Sequence, residues 1–230
     1  MKVAACVLAA GRGERFRKGL EEMGRRPVNK LVYPVAGRPM VGWVVSRAAR
    51  VSDVVIVGLG FDAGVVWSSV LEWVPGDVPV VPVLNDPADV PMAVTAANVL
   101  SEGLRRGADV LLLLAGDQPT VRSETMERLA EAAAREGAAV LDRGAPVERP
   151  SGDELEGHGP PMAFDREGAR RFVDLILEEW EGERGTNVLN LNPVMRRFGP
   201  FRAVPPVDDC ELLNVNTPDQ VREAERCLGR

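Results

Sequence analysis

Short apolar runs that alternate with helical patterns constrain this chain more than any other feature of its sequence. Val3–Leu8, Asp53–Val57 and Asp109–Leu114 are nearly uninterrupted apolar segments, which is typical of strands buried on both faces of a parallel sheet. Amphipathic segments lie between them, beginning with the helix that Pro39 opens. This alternation predicts a three-layer α/β/α fold with a mostly parallel, Rossmann-like sheet. We expect the 230 residues to form a single domain.

The remaining predicted elements are shorter or less regular. Val78–Leu84 contains Pro79 and Pro82, which favours an edge strand because proline cannot donate a backbone hydrogen bond. Thr217 is expected to cap a final helix that runs through Leu228. Further helices are expected over Ala63–Val74, Met92–Arg106, Glu124–Arg135 and Arg166–Glu181, and further short strands over Ala138–Leu141, Phe201–Val204 and Glu211–Val215.

Two segments interrupt this alternation of strands and helices. Arg12–Asn29 is polar, basic and broken by glycines, which predicts a loop and makes residues 9–30 a basic, glycine-rich region. Asp142–Pro161 is rich in proline, glycine and charged residues, which predicts a mobile loop over residues 142–161. Loops of this length in compact domains are usually functional or disordered.

Composition and charge exclude several classes of protein. The formal net charge of −6 disfavours non-specific binding to nucleic acid. The longest uninterrupted apolar run, Val3–Ala10, is far shorter than the roughly 20 residues of a membrane span, and the first residues predict a strand rather than a signal peptide. A cytoplasmic protein that binds no membrane is therefore expected. Three cysteines lie far apart beside a single histidine, which excludes a recognisable zinc-site spacing and leads us to expect free thiols.

The turn after the first predicted strand carries the strongest local signal for function. Gly11 and Gly13 allow the backbone to approach a ligand closely, and Arg12 and Arg15 add positive charge, which suits a polyphosphate. In an open parallel sheet such a turn lies at the edge where ligands bind. The turn is neither a dinucleotide fingerprint, which needs glycine where Phe16 stands, nor a P-loop, whose Gly-Lys-Ser/Thr sequence is missing.

An acidic residue follows the predicted strand Asp109–Leu114. Asp117 stands in the sequence Ala-Gly-Asp-Gln-Pro, where the strand leaves the core. A carboxylate at such a place can hold Mg²⁺ through one or two oxygens while substrate phosphates complete the coordination shell. We therefore expect Asp117 to be a metal ligand and Mg²⁺ to be the cofactor.

Taken in order, these motifs resemble the nucleotidyltransferase superfamily, which has a nucleotide-diphospho-sugar transferase-like fold and couples an NTP to an acceptor phosphate with release of pyrophosphate. The resemblance includes Lys30 and the segment Gly37-Arg38-Pro39-Met40 that follows it. Lys30 is favoured over Lys18 as the residue that neutralises phosphate charge, because Leu31 and this segment match the family pattern. The residues implied to bind the nucleotide are Leu8, Ala9 and Ala10 beside the base and Gly11, Arg12, Gly13 and Arg15 around the triphosphate, and the catalytic residues implied are Arg15, Lys30 and Asp117.

The string Ala-Gly-Asp-Gln-Pro at residues 115–119 narrows the resemblance to MobA/MocA-like nucleotidyltransferases, the cytidylyl- and guanylyltransferases of the molybdenum cofactor. Weaker matches follow the same order. Asn85 begins a segment that resembles the loop beside the nucleotide base, and His158 lies in a segment that resembles the acceptor side. Asn214 and Asn216 belong to Asn-Val-Asn-Thr-Pro, which resembles the motif that closes this fold. The resemblance implies Asn216 as a second metal ligand and Asn214 as an acceptor-binding residue.

The reaction implied by this resemblance transfers a nucleotide from CTP or GTP to molybdopterin, with a client molybdoenzyme as a further partner. CTP is favoured because Leu-Ala-Ala-Gly resembles the cytidylyl branch, whereas Asn-Val-Asn-Thr-Pro is closer to the guanylyl-type ending. Two alternatives stay open. One is a sugar-1-phosphate or adenosylcobinamide-phosphate nucleotidyltransferase, and the other is a non-catalytic nucleotide-binding accessory protein that inserts the cofactor into its client.

Overall fold

Parallel strands dominate the structure, a computed structural model that describes residues 1–144, 159–182 and 191–229. In chain order the strands are β1 (Val3–Ala9), β2 (Pro34–Val35), β3 (Arg38–Pro39), β4 (Val54–Leu59), β5 (Val80–Leu84), β6 (Val110–Ala115), β7 (Ala138–Leu141), β8 (Met162–Asp165) and β9 (Arg202–Val204). β2 and β3 form a separate hairpin, and the other seven strands form one sheet in the order β5-β4-β1-β6-β8-β7-β9. β8 is antiparallel to β6 and β7, and the other pairings in this sheet are parallel.

Helices cover both faces of the sheet. They are α1 (Glu14–Glu22), α2 (Met40–Ala48), α3 (Ala63–Trp73), α4 (Met92–Arg105), α5 (Ser123–Glu136), α6 (Arg166–Gly182), α7 (Leu191–Phe198) and α8 (Asp219–Leu228), with 3₁₀ helices at Lys30–Val32 and Asp209–Leu212. Alternate residues of β1 belong to different cores: Ala4 and Cys6 pack with α4, α6 and α7, whereas Ala5 and Val7 pack with α2, α3 and α5. The predicted three-layer, mostly parallel fold is confirmed, with β5 at the sheet edge as expected.

The prediction of a loop over Arg12–Asn29 is wrong, because α1 lies inside it. Phe16 and Leu20 are four residues apart, so they share one face of the helix, and both are fully buried. They pack in a third, smaller core that includes Met40 and Val221. Two apolar residues are enough to anchor this short helix because α8 and the start of α2 cover them, a tertiary effect that the polar sequence does not reveal.

The prediction of a strand over Glu211–Val215 is also wrong. A 3₁₀ helix ends at Leu212, and its Glu211 side chain is fully buried. The Glu211 carboxylate accepts hydrogen bonds from the Thr125 hydroxyl and the Val207 N–H, both at 2.7 Å, and from the Arg122 N–H at 2.6 Å. These bonds attach the segment to the start of α5 and replace the ladder that a strand would make.

Caps and termini show further differences from the sequence analysis. Thr217 makes no side-chain cap for α8; instead the Gln220 side chain accepts from the backbone N–H groups of Asn216 at 2.7 Å and Thr217 at 3.0 Å. β8 and α7 were not predicted, since β8 has only four residues and Pro193 lies within α7, although Leu191, Val194, Met195 and Phe198 form a buried helical face. Most of the predicted mobile loop, residues 145–158, lies outside the described residues.

The expectation that the cysteines are free thiols fails for two of the three. Cys210 and Cys227 form a disulfide, since α8 returns the chain to the preceding 3₁₀ helix. Cys6 is free and buried in β1, where desolvation raises the pKa of its thiol well above the ordinary value. Within the described residues, no helix is long and apolar enough to cross a membrane.

Replacing Glu211 with alanine is expected to lower the free energy of unfolding by about 2–4 kcal/mol. The change leaves the Thr125 hydroxyl and two backbone N–H groups without their acceptor in a buried place. Glu223→Ala removes an exposed carboxylate of α8 and should change that free energy by no more than about 0.5 kcal/mol. Denaturant titration measures both variants, and equal losses would contradict the role given to Glu211.

Candidate active site

The carboxyl ends of β1, β4 and β6 meet at one edge of the sheet because the three strands are parallel neighbours. The loops that follow them surround a cleft of about 460 Å³. Many residues singled out in the sequence line this cleft, namely Leu8, Ala10, Gly11, Arg12, Gly13, Arg15, Lys30, Asp117 and Asn216.

Close backbone packing forms the floor of the cleft. The Phe61 N–H donates to the Ala10 carbonyl at 3.1 Å, and the Gly116 N–H donates to the Leu8 carbonyl at 3.0 Å. A Cβ atom at Gly60 would lie only 2.7 Å from the Ala88 carbonyl oxygen and 2.8 Å from that of Ala10. Glycine is therefore required at position 60, where three loops approach one another.

Lys30, Asp117 and Asn216 form the polar centre of the cleft. The Lys30 ammonium is paired with the Asp117 carboxylate and also donates to Asn216 Oδ1 at 3.2 Å. The Lys30 and Asp117 side chains are only 14% and 20% exposed, so solvent screens their attraction less than it screens a surface pair. A backbone bond of 3.1 Å from the Val215 N–H to the Asp117 carbonyl joins the same segments.

Local structure places Lys30 at this centre. Asn29 caps the 3₁₀ helix Lys30–Val32, and its side-chain oxygen accepts from the Leu31 N–H at 3.0 Å. Leu31 is buried and packs in the core beneath the cleft. The short helix therefore directs Lys30 into the cleft while its neighbour fixes the backbone. Lys18, the other lysine considered, lies on α1 with a side chain that is 78% exposed, paired with Glu22 at 3.8 Å.

Positive charge accumulates where α1 begins. Gly13 has a φ of 63°, a left-handed conformation that favours glycine, and α1 starts directly after it. The first N–H groups of α1 and the Arg15 side chain lie beside the cleft, a combination that suits an anion. A Cβ atom at Gly13 would also approach the Lys30 Cγ to 3.1 Å, so a larger residue would disturb the polar centre.

Arg12 spans the mouth of the cleft. Its guanidinium carbon lies 3.9 Å from the centre of the Phe61 ring, and its Nη2 is 3.1 Å from Asp89 Oδ2. The Arg12 and Asp89 side chains are 48% and 59% exposed, so their ion pair contributes little to stability. Phosphate oxygens could therefore replace Asp89 as the partner of Arg12 at small cost.

Two residues expected beside the base do not line the cleft. Ala9 points into the core on the other face of the sheet. Asn85 is buried, donates to Thr95 Oγ1 at 2.8 Å and accepts from Asn98 at 3.1 Å. Thr95 does line the cleft, so Asn85 orients a lining residue instead of being one.

The residues expected on the acceptor side are only partly described. His158 lies outside the described residues. Asn214 does not line the cleft; its Oδ1 accepts from the Gln118 amide at 2.5 Å, and Gln118 also donates to the Pro160 carbonyl at 2.8 Å. Arg143 donates to that carbonyl from the other side at 3.4 Å. Burial lowers the pKa of Arg143, and the nearby Asp117 carboxylate opposes this shift.

The segment expected beside the base, residues 85–95, contributes Ala88, Asp89, Val90, Met92 and Thr95 to the cleft lining, whereas Phe61 was not expected there. Phe61 could have been found, since it follows β4 and every loop at this sheet edge is a candidate. The pairing of Asp89 with Arg12 could not, because only the folded chain brings the two residues together.

The oxygens at the centre of the cleft fit a divalent cation only as part of a shared coordination shell. Asp117 and Asn216 both direct a side-chain oxygen at the Lys30 ammonium, so two oxygens converge on one cationic atom. No group of three or more His, Cys, Asp or Glu residues able to hold a metal occurs in residues 1–144, 159–182 and 191–229. Mg²⁺ is commonly held by one or two protein carboxylates together with substrate phosphates and water, so the donor set fits Mg²⁺ that arrives with a nucleotide.

Known proteins resemble this chain in sequence and in fold. Residues 5–190 match the family model of the MobA-like NTP transferase domain. The chain belongs to this family. A nucleotidyl transferase from Methanothermobacter has the same fold, with a TM-score of 0.78, 30% identity and coverage of 99% of this chain and 98% of that one.

Relatives of this MobA-like NTP transferase differ in length. The bifunctional protein GlmU of Thermotoga maritima is 36% identical over 148 residues, which are 64% of this chain but only 29% of GlmU. The chain thus spans less than a third of that curated relative. The 4-diphosphocytidyl-2C-methyl-D-erythritol synthase of Anaerococcus prevotii, at 16% identity and a TM-score of 0.69, shares the fold.

A double-mutant cycle on Lys30→Met and Asp117→Asn, without nucleotide or Mg²⁺, should give a coupling free energy of about 1–3 kcal/mol in unfolding. The pair is largely shielded from solvent, so removal of one partner leaves an uncompensated charge. The matched cycle on Lys18→Met and Glu22→Gln, an exposed pair on α1, should give about 0.5 kcal/mol or less. Similar coupling in both cycles would contradict the screening argument.

Proposed function

We propose that this protein transfers a nucleoside monophosphate from an NTP to the phosphate of an acceptor. An oxygen of the acceptor phosphate would attack the α-phosphorus, the bond between the α- and β-phosphates would break, and pyrophosphate would leave. The observation that carries the proposal is the convergence of Lys30, Asp117 and Asn216 beside a basic, glycine-rich loop. Membership of the MobA-like NTP transferase domain family supports it.

The protein residues would act by positioning and electrostatic stabilisation. Arg12, Arg15 and the N-terminal N–H groups of α1 would hold the triphosphate, since they border one side of the cleft. Lys30 would leave Asp117 and neutralise charge that develops on the leaving pyrophosphate. Such preorganised positive groups supply much of the rate acceleration in phosphoryl transfer, and no covalent enzyme intermediate is required.

Asp117 and Asn216 would hold Mg²⁺ together with oxygens of the nucleotide. The cation would supply charge neutralisation for the phosphates when bound. Asp117 supplies the carboxylate that pairs with Lys30, and Asn216 adds a neutral oxygen. We therefore expect Mg²⁺ to bind weakly without nucleotide and tightly with it.

Molybdopterin is the acceptor that we favour. The string Ala-Gly-Asp-Gln-Pro at residues 115–119 supports it, and within that string Gln118 donates hydrogen bonds to Asn214 and to the Pro160 carbonyl. A sugar-1-phosphate or adenosylcobinamide phosphate is the second candidate, because the polar centre of Lys30, Asp117 and Asn216 would bind the phosphate of either acceptor. A client molybdoenzyme would receive the product only in the first case.

Pyrophosphate release tests the proposal directly. The purified chain is incubated with Mg²⁺ and each of CTP, GTP, UTP and ATP, with and without molybdopterin, glucose 1-phosphate or adenosylcobinamide phosphate. We expect release that requires both an NTP and one acceptor, and a fall of on the order of 10²-fold in Lys30→Ala, because that variant loses the positive charge beside the phosphates. Lys18→Ala is the matched control and should retain full activity, since Lys18 is exposed on α1.

Three outcomes would contradict parts of this proposal. Nucleotide binding without release under any combination would favour a non-catalytic accessory protein. Loss of activity in Lys18→Ala with full activity in Lys30→Ala would show that Lys18, and not Lys30, neutralises the phosphate charge. Release that depends on a sugar phosphate alone would replace molybdopterin as the acceptor.

Ala10 is proposed to favour CTP over GTP, because its methyl group lines the cleft where a purine would need more room. Ala10→Gly should therefore raise the use of GTP relative to CTP. A difference of one methyl group discriminates by roughly 10–200-fold at most, so the preference should be partial. Competition between equal concentrations of CTP and GTP measures it in both proteins. A wild-type preference for GTP would show that position 10 does not select the base.

A further inference from the structure

The Cys210–Cys227 disulfide encloses the segment that completes the proposed nucleotide site. The bridge joins residues 17 positions apart, and Asn214 and Asn216 lie between them. Asn216 contacts Lys30 at 3.2 Å, and Asn214 contacts Gln118 at 2.5 Å. Neither cysteine touches the cleft, so any effect on the site must pass through the enclosed segment.

Helix α8 determines where the Asn216 backbone lies. Gln220, in the first turn of α8, accepts from the Asn216 N–H at 2.7 Å. The buried face of α8 packs against Phe16 and Leu20 of α1, and a Cβ atom at Gly19 would come within 2.6 Å of Pro218. Asn216 is therefore positioned by a helix that rests on α1, the helix that begins at the glycine-rich loop.

The other end of the enclosed segment is attached to a different part of the molecule. The 3₁₀ helix that carries Cys210 is fixed to the start of α5 by the buried Glu211 carboxylate. Cys227 lies near the end of α8. The disulfide thus links α8, which positions Asn216, to the 3₁₀ helix, which is attached to the start of α5. Apart from the disulfide, these two elements are anchored to different parts of the molecule.

We propose that this disulfide is a positioning element of the nucleotide site and that its reduction weakens the binding of Mg²⁺–NTP. The inference rests on the proposed function, because it takes Asn216 as a ligand of the bound Mg²⁺–NTP. With the bridge intact, α8 and the 3₁₀ helix keep the Asn216 side chain next to Lys30 and Asp117. Without it, α8 keeps its packing on α1 but loses its covalent link to the 3₁₀ helix, and only non-covalent contacts such as Val215–Asp117 and Asn214–Gln118 tie the segment to the Asp117 loop.

The redox step needs a dithiol as co-reactant. Two electrons and two protons pass from the dithiol to the bridge, which becomes the thiols of Cys210 and Cys227, while the dithiol is oxidised to its own disulfide. Both cysteines are partly exposed, so a small dithiol can reach them. Cys6 is fully buried and its thiol does not take part.

Isothermal titration of CTP, GTP, UTP and ATP, each with Mg²⁺, into oxidised and dithiothreitol-reduced protein tests the proposal. We expect Kd for the preferred nucleotide to rise on the order of 10-fold on reduction, the scale typical for loss of a residue that orients a metal ligand. The variant Cys210→Ala/Cys227→Ala should bind like the reduced protein under both conditions. Circular dichroism at the titration temperature establishes that every form is folded.

A second variant separates positioning from general stability. Val173→Ala shortens a buried side chain of α6, far from the enclosed segment, and should lower the melting temperature without change in Kd. Equal Kd values for the oxidised and reduced protein would overturn this inference and leave the proposed function standing, even if reduction lowers the melting temperature. Failure of the oxidised protein to bind any of the four nucleotides would contradict the proposed function and this inference together.

Discussion

Backbone hydrogen bonds pair β1 in parallel with β4 on one side and β6 on the other, and the cleft exists because of this pairing. Leu8 lies opposite Gly58 of β4 and Ala115 of β6, so the three strands end at one level. Because neighbouring residues of a strand face opposite sides, a slip of one residue would send Leu8 into the wrong core and Ala9 to the cleft. Buried side chains on both faces make such a slip costly, which fixes the loops that carry Arg12, Phe61 and Asp117.

The parallel pairing of these strands also brings charged residues together at the centre of the cleft. The net charge of the chain is −6, yet the glycine-rich loop and Lys30 create a basic region at the end of β1. The Lys30 ammonium donates hydrogen bonds to Asp117 and Asn216. A bound triphosphate would offer Lys30 new anionic partners. A divalent cation would offer the Asp117 carboxylate a new cationic partner. The pair therefore protects each charge from an unpaired, poorly solvated state until the substrate replaces it.

Sequence reasoning found those parts of the molecule whose signal is local. The core strands were predicted because runs such as Asp109–Leu114 are apolar on both faces, and Lys30 and Asp117 because each stands in a short motif beside a strand end. Helix α1 was missed, since its two buried residues are only meaningful once α8 covers them. Ala9 was expected beside the base, but its side chain enters the opposite core, because successive residues of a strand face opposite sides of the sheet. The disulfide depends entirely on the return path of the chain, which sequence spacing does not encode.

The choice of asparagine at position 216 has a consequence for how the site assembles. A second carboxylate there would repel Asp117, since one Lys30 ammonium can neutralise only one of two negative charges. Asparagine avoids that repulsion, but a neutral oxygen attracts Mg²⁺ less strongly, so its position must be held by the surrounding structure. Gln220 and the helix that carries it supply this support in the described chain. A weak ligand such as Asn216 depends more on the surrounding structure for its position than a carboxylate would. That structure is α8, and the Cys210–Cys227 disulfide joins α8 to the 3₁₀ helix that precedes Asn216.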